Sequence, residues 1–315
     1  MPASASDTID NGKIAGFENL EFLARQIVEG FIVGLHKSPF HGFSVEFAEH
    51  RLYNNGEPIR HIDWKLYGRT GKLFVKRYEE ETNLRCQIVI DNSSSMHFPV
   101  RQRPNLNNPD KLVYSVYAAA SLAELMRRQR DAVGLDLFNS SVEFHSEARM
   151  SQENKVLLYT KLEEQLRRYD KSQPKTTAMA QCLHGIAEML HRRSLVLLFS
   201  DMLYSQADSK PVFEALEHLR YNKHEVVMFH VFSGSLEHDL DYGNGMRDFV
   251  DLENSNSLKL NPVEIKEAYS RIMAEKKGEI MQHCYKNRVD YVELDIDKGY
   301  EQALTAYLVK RAKIR

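Results

Sequence analysis

The sequence predicts an α/β fold, a doubly wound and mostly parallel six-stranded sheet with one antiparallel edge strand. Two short apolar runs at residues 84–90 and 194–200 have the length and continuity of buried strands. Strands are also predicted at residues 132–138, 225–232 and 289–294, with stretches of helical periodicity between them. Strands that alternate with helices imply crossover connections, a parallel sheet and helices on both of its faces.

The remaining elements follow in order along the chain. An amphipathic helix at residues 18–36 precedes a Gly-, Arg- and Tyr-rich connector at residues 39–70. Residues 73–78 are predicted as a strand adjacent to the one at 84–90. The other predicted helices span residues 111–128, 153–169, 177–192, 211–221, 262–287 and 300–312.

Turn signals complete the organisation of the chain. The pair Asn139-Ser140 favours a turn into residues 142–144, which predicts the antiparallel edge strand. Residues 233–261 form an irregular insertion with a small hairpin at about 246–252. The predicted regions are a disordered N-terminus (1–16), an N-terminal helix with an Arg-, Tyr- and Trp-containing segment (17–80) and the sheet domain (81–315).

Composition limits the class of protein. The 315 residues are 43% hydrophobic and 27% charged, which is typical of a soluble globular protein. The net charge of −2 gives no overall attraction to nucleic acid or to an anionic membrane. Cys86, Cys182 and Cys284 lack metal-ligand spacing and are predicted to be reduced thiols. No signal peptide or membrane span is recognisable, so we expect a cytoplasmic protein without stable membrane insertion.

An Asp-x-Ser-x-Ser motif follows the first buried run. The motif consists of Asp91, Ser93 and Ser95. Its position directly after a buried strand puts it at the carboxyl edge of the sheet, where ligands bind in such folds. All three side chains offer oxygen, which suits Mg²⁺ or another hard cation. We expect Asp91 and Ser93 to be surface-edge groups whose substitution leaves the fold intact. The motif alone is weak, because Asp and Ser also cap helices and build turns.

A second carboxylate, Asp201, follows the buried run at 194–200, and Thr177 opens a predicted helix between the two motifs. Here the chain resembles the von Willebrand factor A domain, in which such residues form a metal-ion-dependent adhesion site. The resemblance implies that Ser93, Ser95 and Thr177 give hydroxyls to Mg²⁺ or Mn²⁺, while Asp91 and Asp201 hold its waters. The open coordination position then attracts an acidic side chain of a protein partner.

Alternatives at this site stay open. Lys175-Thr176 replaces the glycines usual in the family, so Thr176 competes with Thr177 as the ligand. Thr177 could instead cap its helix and Asp201 begin a turn. Ser94 and His97 are expected to complete the turn, with His97 as an extra ligand the less favoured alternative.

A narrower resemblance covers the chain from about residue 42 onward. Residues 51–65, read as RLYNNGEPIRHIDWK, resemble the signature of a bacterial von Willebrand A-like family catalogued as domain of unknown function fifty-eight. Further matching segments lie at residues 69–84, 229–232, 249–253 and 307–311. Members are typically encoded beside MoxR-type AAA+ ATPases, so the resemblance implies such an ATPase as partner.

The signature segment is also basic and aromatic. Residues 51–77 hold seven Lys or Arg residues against two acidic ones, and they include Trp64. The favoured interpretation is structural: Arg60, Asp63 and Lys65 form ion pairs while Trp64 packs on the sheet. A partner-protein surface is the next, and nucleic-acid binding the least favoured. Candidate partner-binding residues are Arg51, Arg60, Lys65 and Arg69.

Enzyme motifs are missing from the sequence. It contains no Gly-x-Ser-x-Gly, P-loop, strand-following Gly-x-Gly-x-x-Gly or His-Glu-x-x-His. The leading hypothesis is a non-catalytic, Mg²⁺-dependent protein-interaction module that acts with a MoxR-type ATPase in complex maturation or stress response. The alternative is a metal-dependent hydrolase that uses Asp91 or Asp201 as its base.

Overall fold

The computed structural model describes residues 20–37, 50–52, 64–76, 84–166, 174–204 and 208–314. Its strands are β1 (His50–Leu52), β2 (Phe74–Lys76), β3 (Arg85–Asp91), β4 (Ala132–Phe138), β5 (Val142–Arg149), β6 (Leu195–Ser200), β7 (Glu225–Phe232), β8 (Arg247–Val250), β9 (Ser257–Leu260) and β10 (Asp290–Asp295). Its helices are α1 (Leu20–Lys37), α2 (Trp64–Thr70), α3 (Lys111–Arg128), α4 (Gln152–Gln165), α5 (Met179–Met189), α6 (Ser209–Tyr221), α7 (Pro262–Lys286) and α8 (Glu301–Ile314).

Six strands form the main sheet, in the order β10-β7-β6-β3-β4-β5. Strand β5 runs antiparallel to β4, and every other neighbouring pair in this sheet is parallel. The predicted fold class is therefore confirmed, including its antiparallel edge strand. The central strands are buried on both faces, as parallel strands usually are, and this explains their nearly continuous apolar sequences.

Helices cover both faces of the sheet. Along β3, Ile88 and Ile90 pack into one hydrophobic core while Val89, between them, packs into the other. The first core is completed by α1, α3, α4 and α8, and the second by α5, α6 and α7. The alternation follows from the period-two geometry of a strand.

Helix α1 belongs to the first core. Leu20, Ala24, Val28 and Phe31 recur at helical spacing and are all buried. Ion pairs flank this stripe, since Lys155 of α4 pairs with Glu21 and Arg128 of α3 bonds a Glu29 oxygen at 3.1 Å. The predicted N-terminal helix is thus present and packs on the sheet domain. No helix in the described ranges combines the length and apolar character needed to cross a bilayer.

Some local predictions were wrong. The apolar run at 73–78 does not pair with β3, because β2 pairs with β1 in a separate two-stranded antiparallel sheet. Helix α2 lies inside the segment 39–70, which was predicted as a connector with no helix of its own. Helix α5 begins at Met179, two residues later than predicted. Residues 1–16, Arg60 and Asp63 lie outside the described residues, as do the side chains of Arg51, Trp64 and Lys65.

The insertion contains a real hairpin, longer than predicted. Strands β8 and β9 pair antiparallel, with Arg247 opposite Leu260 and Val250 opposite Ser257. The turn between them is closed by backbone hydrogen bonds from Asp251 to Asn256 and from Ser255 to Asp251. Asn261 caps α7, and Pro262 occupies its first turn as predicted. We call residues 247–260 the insertion hairpin.

Candidate metal centre

The two predicted aspartates meet at the carboxyl edge of the sheet. Strands β3 and β6 are parallel neighbours, with Ile90 opposite Phe199, so the residues that follow them lie side by side. The Ser200 hydroxyl donates to Asp91 Oδ2 at 3.0 Å. Asp91 is 0% exposed and Asp201 4% exposed. The sheet topology therefore places two carboxylates in one buried polar pocket.

The Asp-x-Ser-x-Ser loop folds back on Asp91. The Ser93 amide donates to Asp91 Oδ1 at 3.0 Å, and the hydroxyls of Ser93 and Ser95 lie 3.1 Å apart. The expectation that Asp91 and Ser93 are surface-edge groups was wrong, because both are 0% exposed. Both oxygens of Asp91 already accept hydrogen bonds, so removing this side chain would also leave buried donors without acceptors.

Ser94, the residue between the two predicted serine ligands, has a structural role. Its hydroxyl accepts from the Lys175 amide at 2.7 Å, and its own amide donates to the Lys175 carbonyl at 2.9 Å. These bonds fix the segment before α5 beside the serine loop. His97 approaches Asp110, with Nδ1 3.6 Å from Oδ2, on the helix-capping side of the loop.

Thr177 lies at this junction with an unusual hydroxyl. Its Oγ1 is buried and has no hydrogen-bond partner. It does not cap α5, because the capping position is Ala178 and no side chain caps that end. Thr176, the competing candidate, is exposed. An orphaned hydroxyl is costly unless an unseen group binds it, so the geometry favours Thr177 over Thr176 as a ligand.

Lys111 is a residue that the sequence interpretation missed. Its side chain is 0% exposed, and Nζ donates to Asp201 Oδ2 and to Glu237 Oε1, both at 2.7 Å. Burial alone would lower the pKa of Lys111, but the two carboxylates hold it above its ordinary value. A lysine in the first turn of the predicted helix 111–128 was the available signal, since cations are unfavourable at a helix N-terminus.

The two aspartates have different electrostatic environments. Burial and the nearby charge of Asp201 raise the pKa of Asp91. Burial would also raise the pKa of Asp201, but Lys111 outweighs it and holds that pKa below its usual range. Asp201 is therefore a charged partner of Lys111, while Asp91 gains from any added positive charge.

Glu253 is the second residue that was missed as a site residue. It projects from the turn of the insertion hairpin, and its Oε2 accepts from the Thr177 amide at 3.4 Å. Its other oxygen, Oε1, is buried without a partner. Burial, together with the charge of Asp201, raises the pKa of Glu253. Its position within the family-like segment 249–253 was the only sequence signal, and that segment gave no role.

The residues fit a hard cation. The candidate donors are the hydroxyls of Ser93, Ser95 and Thr177 and the carboxylates around them, which are all oxygen atoms. Two of these oxygens, Thr177 Oγ1 and Glu253 Oε1, are buried and unsatisfied. In the described ranges no three His, Cys, Asp or Glu side chains could hold a metal by themselves. An ion here would therefore depend on the hydroxyl oxygens.

A large cavity adjoins this edge of the sheet. Its volume is about 1080 Å³, and Ser95, Lys111, Thr177 and Glu253 contribute to its wall. The remaining wall is largely apolar and comes from the insertion, from the start of α5 and from helices α6 and α7. A mostly apolar cavity with a few convergent polar groups is the usual form of a binding site.

The basic candidates are less well defined. Arg69 is exposed in the last turn of α2. Arg51 lies in β1 and Lys65 in α2, and Arg60 is outside the described residues. Among the four, Arg69 has a described side chain, so their grouping into one surface stays a prediction.

The family of the chain follows from its sequence. The family model described as protein of unknown function DUF58 matches residues 49–279. The chain belongs to the DUF58 family. This match spans β1 through most of α7, and it includes every candidate metal-site residue as well as Lys111 and Glu253.

Individual relatives add little about function. Two uncharacterized proteins, from Mycobacterium tuberculosis and Mycobacterium bovis, are each 31% identical to the chain over 98 residues. The match covers 31% of this chain and only 31% of each relative. Among solved structures, the conserved hypothetical protein BatB from Bacteroides thetaiotaomicron is 16% identical with a TM-score of 0.43, covering 74% of this chain and 100% of that one. The PilB minor pilin from Streptococcus sanguinis is 8% identical with a TM-score of 0.36, covering 77% and 64%.

Proposed function

We propose that this DUF58 protein is a non-catalytic protein-interaction module that depends on Mg²⁺ or Mn²⁺. The observation that carries the proposal is the pair of buried, unpartnered oxygens at Thr177 and Glu253, beside the paired hydroxyls of Ser93 and Ser95. A cation bound among them would satisfy oxygens that otherwise lose hydrogen bonding on burial.

The ligand set explains why such an ion would bind a partner. Ser93, Ser95 and Thr177 would contact it through neutral hydroxyls, and Asp91 and Asp201 would hold its waters. Lys111 pairs with Asp201 at 2.7 Å and so offsets part of the negative charge that would otherwise neutralise a divalent ion. The bound ion supplies an electrophilic position that accepts an acidic side chain of another protein.

The proposed partner is a MoxR-type AAA+ ATPase that presents a Glu or Asp on an exposed loop. Support comes from DUF58 membership and from the resemblance of the segment 51–84 to the family signature. We also propose a cytoplasmic location and a role in complex maturation or stress response. The three cysteines are buried and form no disulfide with one another, as a reducing compartment allows.

The alternative of a metal-dependent hydrolase has weaker support. A general base needs a free oxygen close to a reacting water. Asp201 is bonded to Lys111, and both oxygens of Asp91 accept hydrogen bonds from Ser93 and Ser200. These contacts suit holding water around an ion better than removing a proton.

Metal binding is tested most cleanly at Thr177. Replacing Thr177 with Val removes an oxygen that bonds to nothing, so stability without metal should be unchanged or higher. In the wild type, Mg²⁺ at a hundred times its Kd should add roughly 2.7 kcal/mol to the free energy of unfolding. Thr177→Val should lose most of this gain, measured by urea unfolding with and without Mg²⁺.

Thr176→Val is the matched control, because its side chain is exposed one residue away, and it should keep the gain. Zn²⁺ should stabilise less than Mg²⁺ or Mn²⁺, since the donors are hard oxygens. A wild-type protein whose stability is unaffected by Mg²⁺ and Mn²⁺ would refute the metal-dependent function.

Partner capture is tested on the same variants. A MoxR-type ATPase should be retained by the immobilised protein in Mg²⁺ and released by EDTA, and Thr177→Val should behave in Mg²⁺ as the wild type does in EDTA. Retention that is equal under all these conditions would place the interface elsewhere, with the basic segment 51–77 as the next region to test.

A further inference from the structure

The insertion hairpin carries an acid to the position where a partner's acid is expected. Glu253 lies in the hairpin turn, 76 residues after Thr177, and accepts a hydrogen bond from the Thr177 amide. Side-chain contacts of Ser95 and the charge of Asp201 also act on this carboxylate. A single residue of the insertion therefore meets the hydroxyl side of the candidate ion site.

The hairpin turn holds this glutamate in a defined position. Asp251 Oδ1 accepts from the Glu253 amide at 2.8 Å, and Asp251 Oδ2 accepts from the Asn254 side chain at 2.7 Å. Ser255 takes a positive φ of 61° and completes the turn. The side chain is thus presented by a locally closed loop and not by a loose strand end.

The placement of Glu253 is unfavourable without a cation. Its Oε1 is buried with no partner, and the neighbouring charge of Asp201 repels it. Lys111 does not compensate, since Nζ is bonded to Asp201 and Glu237. A buried carboxylate oxygen without a hydrogen-bond partner carries a desolvation cost. An ion that contacts both Glu253 and Thr177 would satisfy the two orphaned oxygens together.

We infer that Glu253 is an internal carboxylate ligand of this ion site, and that a partner's acid binds only after displacing the insertion hairpin. The inference rests on the proposed metal-dependent function and adds to it a built-in competitor. The DUF58 segment 249–253 would then cover the ion site and be held closed by the ion.

The hairpin is suited to moving. Strands β8 and β9 pair only with each other, and a two-stranded ribbon is marginally stable by itself. Val250 is 54% exposed and Leu258 63% exposed, so opening would expose little additional apolar surface there. Segments with few buried contacts open at low free-energy cost.

Hydrogen exchange of the hairpin amides is the direct test. In the wild type, Mg²⁺ should slow exchange of residues 247–260 by about tenfold or more, the scale of one lost supporting ligand at a metal site. Glu253→Gln keeps an oxygen for the Thr177 amide but loses the charge, so Mg²⁺ should no longer protect the hairpin. Asp248→Asn, which removes one exposed charge from the same hairpin, should retain full protection.

Acetate serves as the probe for a partner's carboxylate. With Mg²⁺ present, acetate should bind Glu253→Gln more tightly than wild type, because its competitor is absent, and titration calorimetry measures the difference. If Mg²⁺ protected the hairpin equally in Glu253→Gln and in wild type, Glu253 would not be a ligand of the ion. The proposed function would still stand if Thr177→Val lost metal binding in the same series. A wild type that binds no Mg²⁺ would overturn both.

Discussion

Helix α1 and the insertion hairpin are two additions to the same sheet, and they are attached in opposite ways. Helix α1 buries an apolar stripe, with Ala24 and Val28 at 0% exposure. The hairpin leaves Val250 and Leu258 largely exposed and reaches the sheet edge with a carboxylate. Apolar burial is not conditional on a ligand, whereas a polar contact beside other charges depends on what neutralises it. Helix α1 is therefore a structural element, whereas the insertion hairpin is suited to regulation.

The largest expected effect comes from Lys111, which ties Glu237 of the insertion to Asp201 at the sheet edge. Lys111→Met leaves two carboxylates without their cation, so we expect a loss of roughly 3–5 kcal/mol in the free energy of unfolding. Mg²⁺ should restore part of this loss by neutralising Asp201. Urea unfolding with and without Mg²⁺ measures both values. If the variant were as stable as wild type without metal, the buried pairs would not be what anchors the start of the insertion.

The next effect concerns the apolar attachment of α1. Phe31→Ala should cost roughly 3 kcal/mol, because the ring is only 9% exposed and its removal leaves a cavity. Phe22→Ala on the same helix is the control, with 52% exposure and an expected change within about 0.5 kcal/mol. Equal losses at the two positions would show that α1 does not share the core, and the contrast with the hairpin would fail.

A smaller effect is expected on the hairpin itself. Leu258→Ala should change the free energy of unfolding by less than about 0.5 kcal/mol, since this side chain is 63% exposed. Leu20→Ala in α1 provides the matched substitution at a 3% exposed leucine and should cost roughly 2 kcal/mol or more. Chemical unfolding of the two variants compares the regions directly. A large loss at Leu258 would mean that the hairpin is held by packing and is not free to open.

Much of the fold was predictable because its signals are local. Strands β4 and β7 coincide with the predicted residues 132–138 and 225–232, since strands buried on both faces are nearly uniformly apolar. The pairing partner of a strand was not predictable in this way. The run at 73–78 has the composition of a strand, but composition does not say whether it pairs with β3 or with β1, and it pairs with β1.

The site was predictable only in part, because local sequence does not show which distant residues come into contact. Asp91 and Asp201 follow buried strands, so the parallel topology alone brings them to one edge. Lys111 meets Asp201 across 90 residues and Glu237 across 126, and no spacing rule predicts such encounters. The start of α5 was placed too early because Thr177 resembles a capping residue, whereas Ser94 holds the preceding backbone through Lys175.

A further small effect is the pH dependence of the α1 attachment. Burial alone would raise the pKa of Glu21, but the hydrogen bond and charge of Lys155, with Arg25, hold it below its ordinary value. The unfolded chain therefore takes up this proton at a higher pH than the folded protein does. The contribution of Glu21 is present above about pH 4.5 and is lost as pH falls through the lowered folded pKa. Glu21→Gln should cost less than about 1 kcal/mol at pH 7, and the difference from wild type should shrink as the pH falls through the lowered pKa of Glu21. Urea unfolding at a series of pH values measures this, and a difference that stays constant with pH would show that Glu21 acts through packing and not through its charge.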